Sequence, residues 1–190
     1  SSIRQELLRR GHSVTAIARN ARAASLEPGV DAVDADIFDS AALAPLLHGH
    51  DAVISAAWFW PGSSEPLVEA IRQSGVKRAL FVGGASSLDS ADGRMLIDVL
   101  DMPEDWMPTI REGVHLLAVL RDTGDLDWTF ISPPLEIGPG PRRGTYRTDP
   151  DNLVANATGQ SAISFDDYAL AMDDALENGT CLRGRFAVGY

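Results

Sequence analysis

The chain has 190 residues, is 45% hydrophobic and carries a net charge of −11 from 16 basic and 27 acidic side chains. That is material for one domain with a sizeable core, and the acidic balance argues against a nucleic-acid backbone or an anionic membrane as the main partner. The single cysteine, Cys181, rules out an internal disulfide, fits a reducing cytoplasmic setting and reads as a buried small residue beside the last strand. No apolar run reaches the roughly 20 residues that a membrane span requires.

Ser1 to Arg10 reads as a helix and Ser13 to Arg19 as a strand. A helix feeding a strand is the second half of a dinucleotide-binding βαβ unit, so a preceding strand and Gly-rich turn, about ten residues, are expected ahead of Ser1. Strands then follow over 30–35, 52–56, 78–83, 127–132 and 185–189, and helices over 40–47, 65–74, 109–122 and 166–177. Such alternation predicts an α/β fold: a Rossmann-like, doubly wound, mostly parallel sheet with helices on both faces. Ala52 to Ala56 and Ala79 to Gly83 are near-continuous apolar runs, as strands buried on both faces require. Pro66 near a helix start and Gly75 past its end delimit one crossover, while Ser40 and Ser164 read as N-caps or near-caps. The stretches 57–64, 84–108 and 133–163 read as irregular. The whole chain is expected to be one dinucleotide-binding domain, with small substrate-side elements over about 133–165.

In open sheets of this kind, ligands lie outside the carboxyl ends of the strands. Arg19 stands at such an end, where NAD-preferring sites carry Asp or Glu for the ribose hydroxyls. A guanidinium there fits a 2′-phosphate instead, with Arg22 close enough to help. A solvated surface arginine is the competing reading. Asp36 and Ile37 follow the next strand, where an adenine contact would fall, although Asp34, Asp36 and Asp39 equally fit a solvated acidic loop.

Ala56 and Ala57 would let a ligand approach the backbone closely, or simply pack. Trp58-Phe59-Trp60 then places three aromatics at the ligand edge. Trp58 and Trp60 are candidates for stacking on a planar substrate, with a dimer contact or core cover as alternatives. Gly83-Gly84-Ala85-Ser86-Ser87 leaves the next strand in a permissive turn that presents two hydroxyls. Short-chain dehydrogenases place a substrate-polarising serine here, beside a Tyr and a Lys four residues apart. That pair is excluded: Lys77 is the only lysine and residue 73 is Gln. The histidines at 12, 48, 50 and 115 read as structural or solvated, and neither zinc-ligand spacing nor a Gly-x-Ser-x-Gly elbow occurs.

Three segments, Gly49 to Ala56, Gly75 to Ala85 and Leu126 to Pro134, together resemble the NAD(P)H-binding, NmrA-like atypical short-chain dehydrogenases. Gly138 to Tyr146 and the ending Arg185-Phe186-Ala187-Val188-Gly189-Tyr190 resemble the NADH-flavin reductase branch, which is similar to biliverdin reductase B. The resemblance implies that Arg19 reads the 2′-phosphate of NADP(H), and that Ala56 and Ala57 line the ribose and pyrophosphate path. It further implies that Gly83, Gly84, Ala85 and Ser86 border the nicotinamide, and that Pro133, Pro134 and Ile137 close its other side. Where the flavin reductase carries a substrate-site histidine after its paired prolines, this chain has Leu135-Glu136-Ile137.

The reading that follows is an NADPH-dependent reductase, acting as a monomer or weak homo-oligomer. It would pass hydride to a planar acceptor such as flavin or quinone, with Ser86 or Ser87 orienting that acceptor. The alternative is a non-catalytic NADP(H) sensor; a nucleotide-sugar epimerase is weaker, because such enzymes normally keep the tyrosine acid/base.

Overall fold

The computed structural model describes residues 1–90 and 92–190; Ala91, inside the stretch expected to be irregular, lies outside the described residues. The chain runs α1 (Ser2–Arg9), β1 (Val14–Ala18), β2 (Val30–Asp34), α2 (Ser40–Leu47), β3 (Ala52–Ser55), α3 (Ser64–Ser74), β4 (Arg78–Val82) and α4 (Leu96–Val99). It continues through α5 (Met107–Arg121), β5 (Asp127–Ser132), β6 (Glu136–Gly138), β7 (Arg147–Asp149), β8 (Ala162–Ser164), α6 (Phe165–Glu177) and β9 (Gly184–Gly189).

The principal sheet has the order β3-β4-β5-β9-β7, parallel except for β7, which runs antiparallel to β9. Alternating side chains explain why helices cover both of its faces. Ala79, Phe81, Trp128 and Phe130 pack with Leu43, Leu67, Ile71, Leu117 and Leu120 from α2, α3 and α5. Leu80, Ile131, Phe186 and Val188 point the other way, to Tyr168, Met172 and Ala175 of α6. Fully burying each large side chain here stabilises the fold by roughly 1.5–3 kcal/mol.

β1 pairs in parallel with β2 as a separate ribbon, so the sheet divides between β1 and β3. Neither β1 nor β3 has a buried residue, whereas β4, β5 and β9 are buried along most of their length.

Asp39 caps α2, its carboxylate reaching forward to accept from the Ala42 N–H at 2.9 Å, and Ser40 stands next to that cap. Two expectations are corrected. The stretch 133–163 contains β6, β7 and the start of β8, three-residue strands too short to show an alternating pattern. Cys181 is half-buried rather than buried, since it sits in a left-handed turn (φ 56°) before β9. Ser164 does cap α6, accepting from the Asp167 N–H at 3.1 Å, and Gly75 ends α3 in the left-handed conformation (φ 82°) that glycine adopts without strain.

Candidate functional site

The strand ends bring the expected residues to one edge by local rules. Arg19 and Arg22 follow β1 and are exposed; the Arg22 N–H donates to Asp34 Oδ1 at 2.9 Å, and the Ala35 N–H donates to the Ala18 carbonyl at 3.1 Å. These bonds tie the ends of β1 and β2 together and fix where Arg19 begins. Asp36 is exposed and accepts from the Phe38 N–H, while Ile37 is half-buried against the core. Neither Arg19 nor Arg22 makes an ion pair among the described residues.

Ala56 is exposed and Ala57 half-buried at the end of β3. In the aromatic run beyond them, Phe59 turns inward against Gly84 and Gly113; a Cβ on Gly113 would come within 3.0 Å of its ring. Trp58 and Trp60 consequently face outward, 64% and 46% exposed. The Arg19 guanidinium lies over the Trp60 ring, 5.7 Å from its centroid. Two expected residues from opposite sides of the divided sheet therefore meet.

Glu112 has no counterpart among the sequence-derived candidates. It is 7% exposed on α5, and its carboxylate accepts from the Gly62 N–H (3.0 Å), the Ser64 N–H (2.9 Å) and Ser64 Oγ (2.6 Å). Burial pushes its pKa up, but the Ser64 hydroxyl and the two amides outweigh burial and hold it below the usual carboxylate value. It anchors the aromatic run to α5 and satisfies an otherwise orphan N–H at the start of α3. Its sequence signal is a charged residue inside the buried stripe Glu112, Gly113, Leu116, Leu117 and Leu120.

After β4, Gly83 is held by a different need. Its N–H donates to the Ile131 carbonyl at 2.8 Å, and an added Cβ would stand 2.3 Å from the Phe130 ring. Gly84 and Ala85 are half-buried beyond it. The Ser87 hydroxyl is buried and points back to the Gly84 carbonyl at 3.4 Å, whereas Ser86 is half-buried. Pro133 and Pro134 are buried at the end of β5, and Ile137 is half-buried on β6.

All three tyrosine hydroxyls are engaged elsewhere: Tyr146 with Asp174, Tyr168 with the Ile131 carbonyl, and Tyr190 with Asp167 and Ser164. A cavity of about 240 Å³ between α6, β7 and β9, lined by Tyr146, Asp149, Cys181 and Phe186, is touched by none of the expected site residues. No cluster of side chains suited to a metal ion occurs among the described residues, and no helix there is long and apolar enough to cross a membrane.

A parallel sheet covered by helices on both faces, with cationic, small and aromatic side chains gathered at its strand ends, defines a Rossmann-type α/β protein. The chain belongs to the NAD(P)H-binding family, whose profile matches residues 1–179. It is 36% identical over 198 residues to the protein YwnB of Bacillus subtilis, spanning 99% of this chain and 92% of that one. A solved Bacteroides thetaiotaomicron protein, described as a "putative epimerase", superposes with a TM-score of 0.92 at 34% identity, covering 100% of this chain and 90% of that one. A Streptococcus pneumoniae protein, described as a "putative NADH-flavin reductase", superposes at 0.84 with 32% identity, covering 99% and 92%.

Proposed function

We propose that the protein is an NADPH-dependent reductase that delivers hydride to a planar acceptor, a free flavin or a quinone, and works as a monomer or weak homo-oligomer. The observation that carries this reading is Arg19: an exposed guanidinium without a carboxylate partner among the described residues, at the strand end where an NAD-preferring site carries an acid. Its donor set suits a phosphate oxygen, and Ala56 and Ala57 present small side chains at the end of β3. The Streptococcus pneumoniae relative's description supports the acceptor class. When bound, the nicotinamide supplies the hydride.

The chain's own part is positioning. Arg19 and Arg22 bind the adenosine end, Asp36 and Ile37 flank it, and Gly83 to Ser86 with Pro133, Pro134 and Ile137 border the reacting end. Ser86 orients the acceptor and Trp58 covers it, so that proximity provides most of the rate.

The test is a fluorescence titration with NADPH and NADH, followed by NADPH oxidation in the presence of FMN, riboflavin and a benzoquinone. Tight NADPH binding, weak NADH binding and acceptor-dependent turnover are expected; no dinucleotide binding overturns the reading. One observation favours a second reading, a non-catalytic NADP(H) sensor: the tyrosine hydroxyls and Ser87 are all turned to structural partners. Tight binding with no turnover for any acceptor would select the sensor over the reductase.

A further inference from the structure

The run Trp58-Phe59-Trp60 is a fixed platform rather than a free loop. Phe59 is wedged between Gly84 and Gly113, the Trp60 N–H donates to the Trp58 carbonyl at 2.9 Å, and the Ser63 N–H donates to the Trp60 carbonyl at 2.9 Å. Glu112 then holds the Gly62 and Ser64 amides from beneath. These constraints within seven residues fix the backbone that carries the Trp60 ring.

Over this ring lies Arg19, which belongs to the other half of the divided sheet: β1 pairs only with β2, while Trp60 follows β3. The contact bridges the crevice in which a doubly wound sheet takes its ligand. The ring is also the only partner of the Arg19 guanidinium among the described residues; no carboxylate or carbonyl there accepts from it. An aromatic ring attracts a cation through its negative face and accepts no conventional hydrogen bond from its edge, so the guanidinium N–H donors stay open. A long, rotamer-rich arginine held in this way is partly ordered before any ligand arrives, which lowers the entropic cost of binding.

We propose that Trp60 is a positioning residue for Arg19, holding its guanidinium where the N–H donors meet the 2′-phosphate on the adenosine half of NADP(H). The proposal rests on the NADP(H) reading of this edge. It assigns Trp60 to the adenosine end of the cofactor, leaving Trp58 alone to face the acceptor.

The test compares the full chain with Trp60→Leu, Trp60→Phe and Arg19→Gln. Dissociation constants are measured for NADPH and NADH, and for adenosine 2′-monophosphate, a probe that engages only the adenosine end. Trp60→Leu is expected to weaken NADPH and adenosine 2′-monophosphate about two- to fivefold, the range of an exposed cation–π contact, with NADH unchanged. Trp60→Phe, which keeps an aromatic face, should recover most of that loss. In the Arg19→Gln background the Trp60→Leu effect should vanish.

Equal weakening of NADPH and NADH by Trp60→Leu would overturn the proposal, because it would mean that the ring touches the adenine common to both. Unchanged NADPH affinity would overturn it too, while leaving the cofactor reading intact. Failure of the wild-type protein to bind any of the three ligands would overturn that reading and this proposal with it.

Discussion

Arginines at two ends of the molecule meet opposite surroundings. In the seam between α1 and α6, Arg10 donates to Glu6 (3.1 Å), Asp174 (2.8 Å) and Glu177 (2.7 Å), and Arg142 donates to the same Glu6 at 3.0 Å. Glu6 is buried, yet the Arg142 hydrogen bond, aided by Arg10, holds its pKa at about 2. At the carboxyl edge of the sheet, Arg19 and Arg22 have no such partner among the described residues, and Arg19 leans on an aromatic ring instead. The seam shows what a guanidinium does when its task is to hold helices together: nearby carboxylates neutralise it and use its donors. At the edge the donors remain open, as a ligand site requires. In a chain whose acids outnumber its bases 27 to 16, that difference sets the helix seam apart from the strand-end edge.

The contrast can be broken most forcefully in the seam. Glu6→Ala should cost about 2–3 kcal/mol in urea unfolding, because Arg142 loses its carboxylate partner and the charge-assisted bonds to Arg10 are lost, although Arg10 keeps Asp174 and Glu177. A loss below about 1 kcal/mol would show that the seam is solvated and the comparison is wrong. Next in size is Glu112→Ala, which leaves the Gly62 and Ser64 amides without their acceptor. We expect about 1–3 kcal/mol of destabilisation, together with a change in Trp58 and Trp60 fluorescence that reports release of the platform. An unaltered emission spectrum would contradict the anchoring role.

A third prediction concerns Asp173, a fully buried carboxyl in α6, whose oxygens have no hydrogen-bond partner among the described residues. Burial raises its pKa from the usual 3.8 to about 7, against the pull of Arg10. A raised carboxyl favours the folded state fully below about pH 4, and that advantage is lost as pH rises through about 7. Glu6 works the other way, its contribution being present above about pH 4.5 and lost as pH falls toward 2. Asp173→Asn should therefore flatten the decline in stability between pH 4 and 7 and be more stable than wild type by at least about 1 kcal/mol at pH 8. Parallel stability–pH curves for the two proteins would refute this.

The smallest expected stability change is at the edge. Arg19→Gln should alter unfolding by no more than about 0.5 kcal/mol, since no folded-state ion pair is lost. Its NADPH affinity should nevertheless fall about tenfold or more, the scale of one charge-assisted hydrogen bond. A variant as destabilised as Glu6→Ala would place Arg19 among the structural cations.

Much of this was legible in the residues before any coordinates. The apolar runs at 52–56, 78–83 and 127–132 and the intervening helical patterns defined a parallel sheet covered on both faces, because periodicity reports burial directly. The run ending at Ala18 put Arg19 at a strand end by counting alone. By contrast, β6, β7 and β8 carry three residues each, too few for a periodic signal, and their pairing depends on partners such as β9 some forty residues away.

Glu112 was overlooked for a related reason. A glutamate on a helix reads as solvated until tertiary packing brings Gly62 and Ser64 to its carboxylate across about fifty residues of sequence. The sequence by itself thus determined the fold class, the helix and strand order, and which side chains stand at the strand ends, all properties written in local spacing. Only the tertiary structure decided that Phe59 turns inward, that Glu112 pins the aromatic run, and that Arg19 and Trp60 meet. Those are distances between residues far apart in the chain, and no local pattern encodes them.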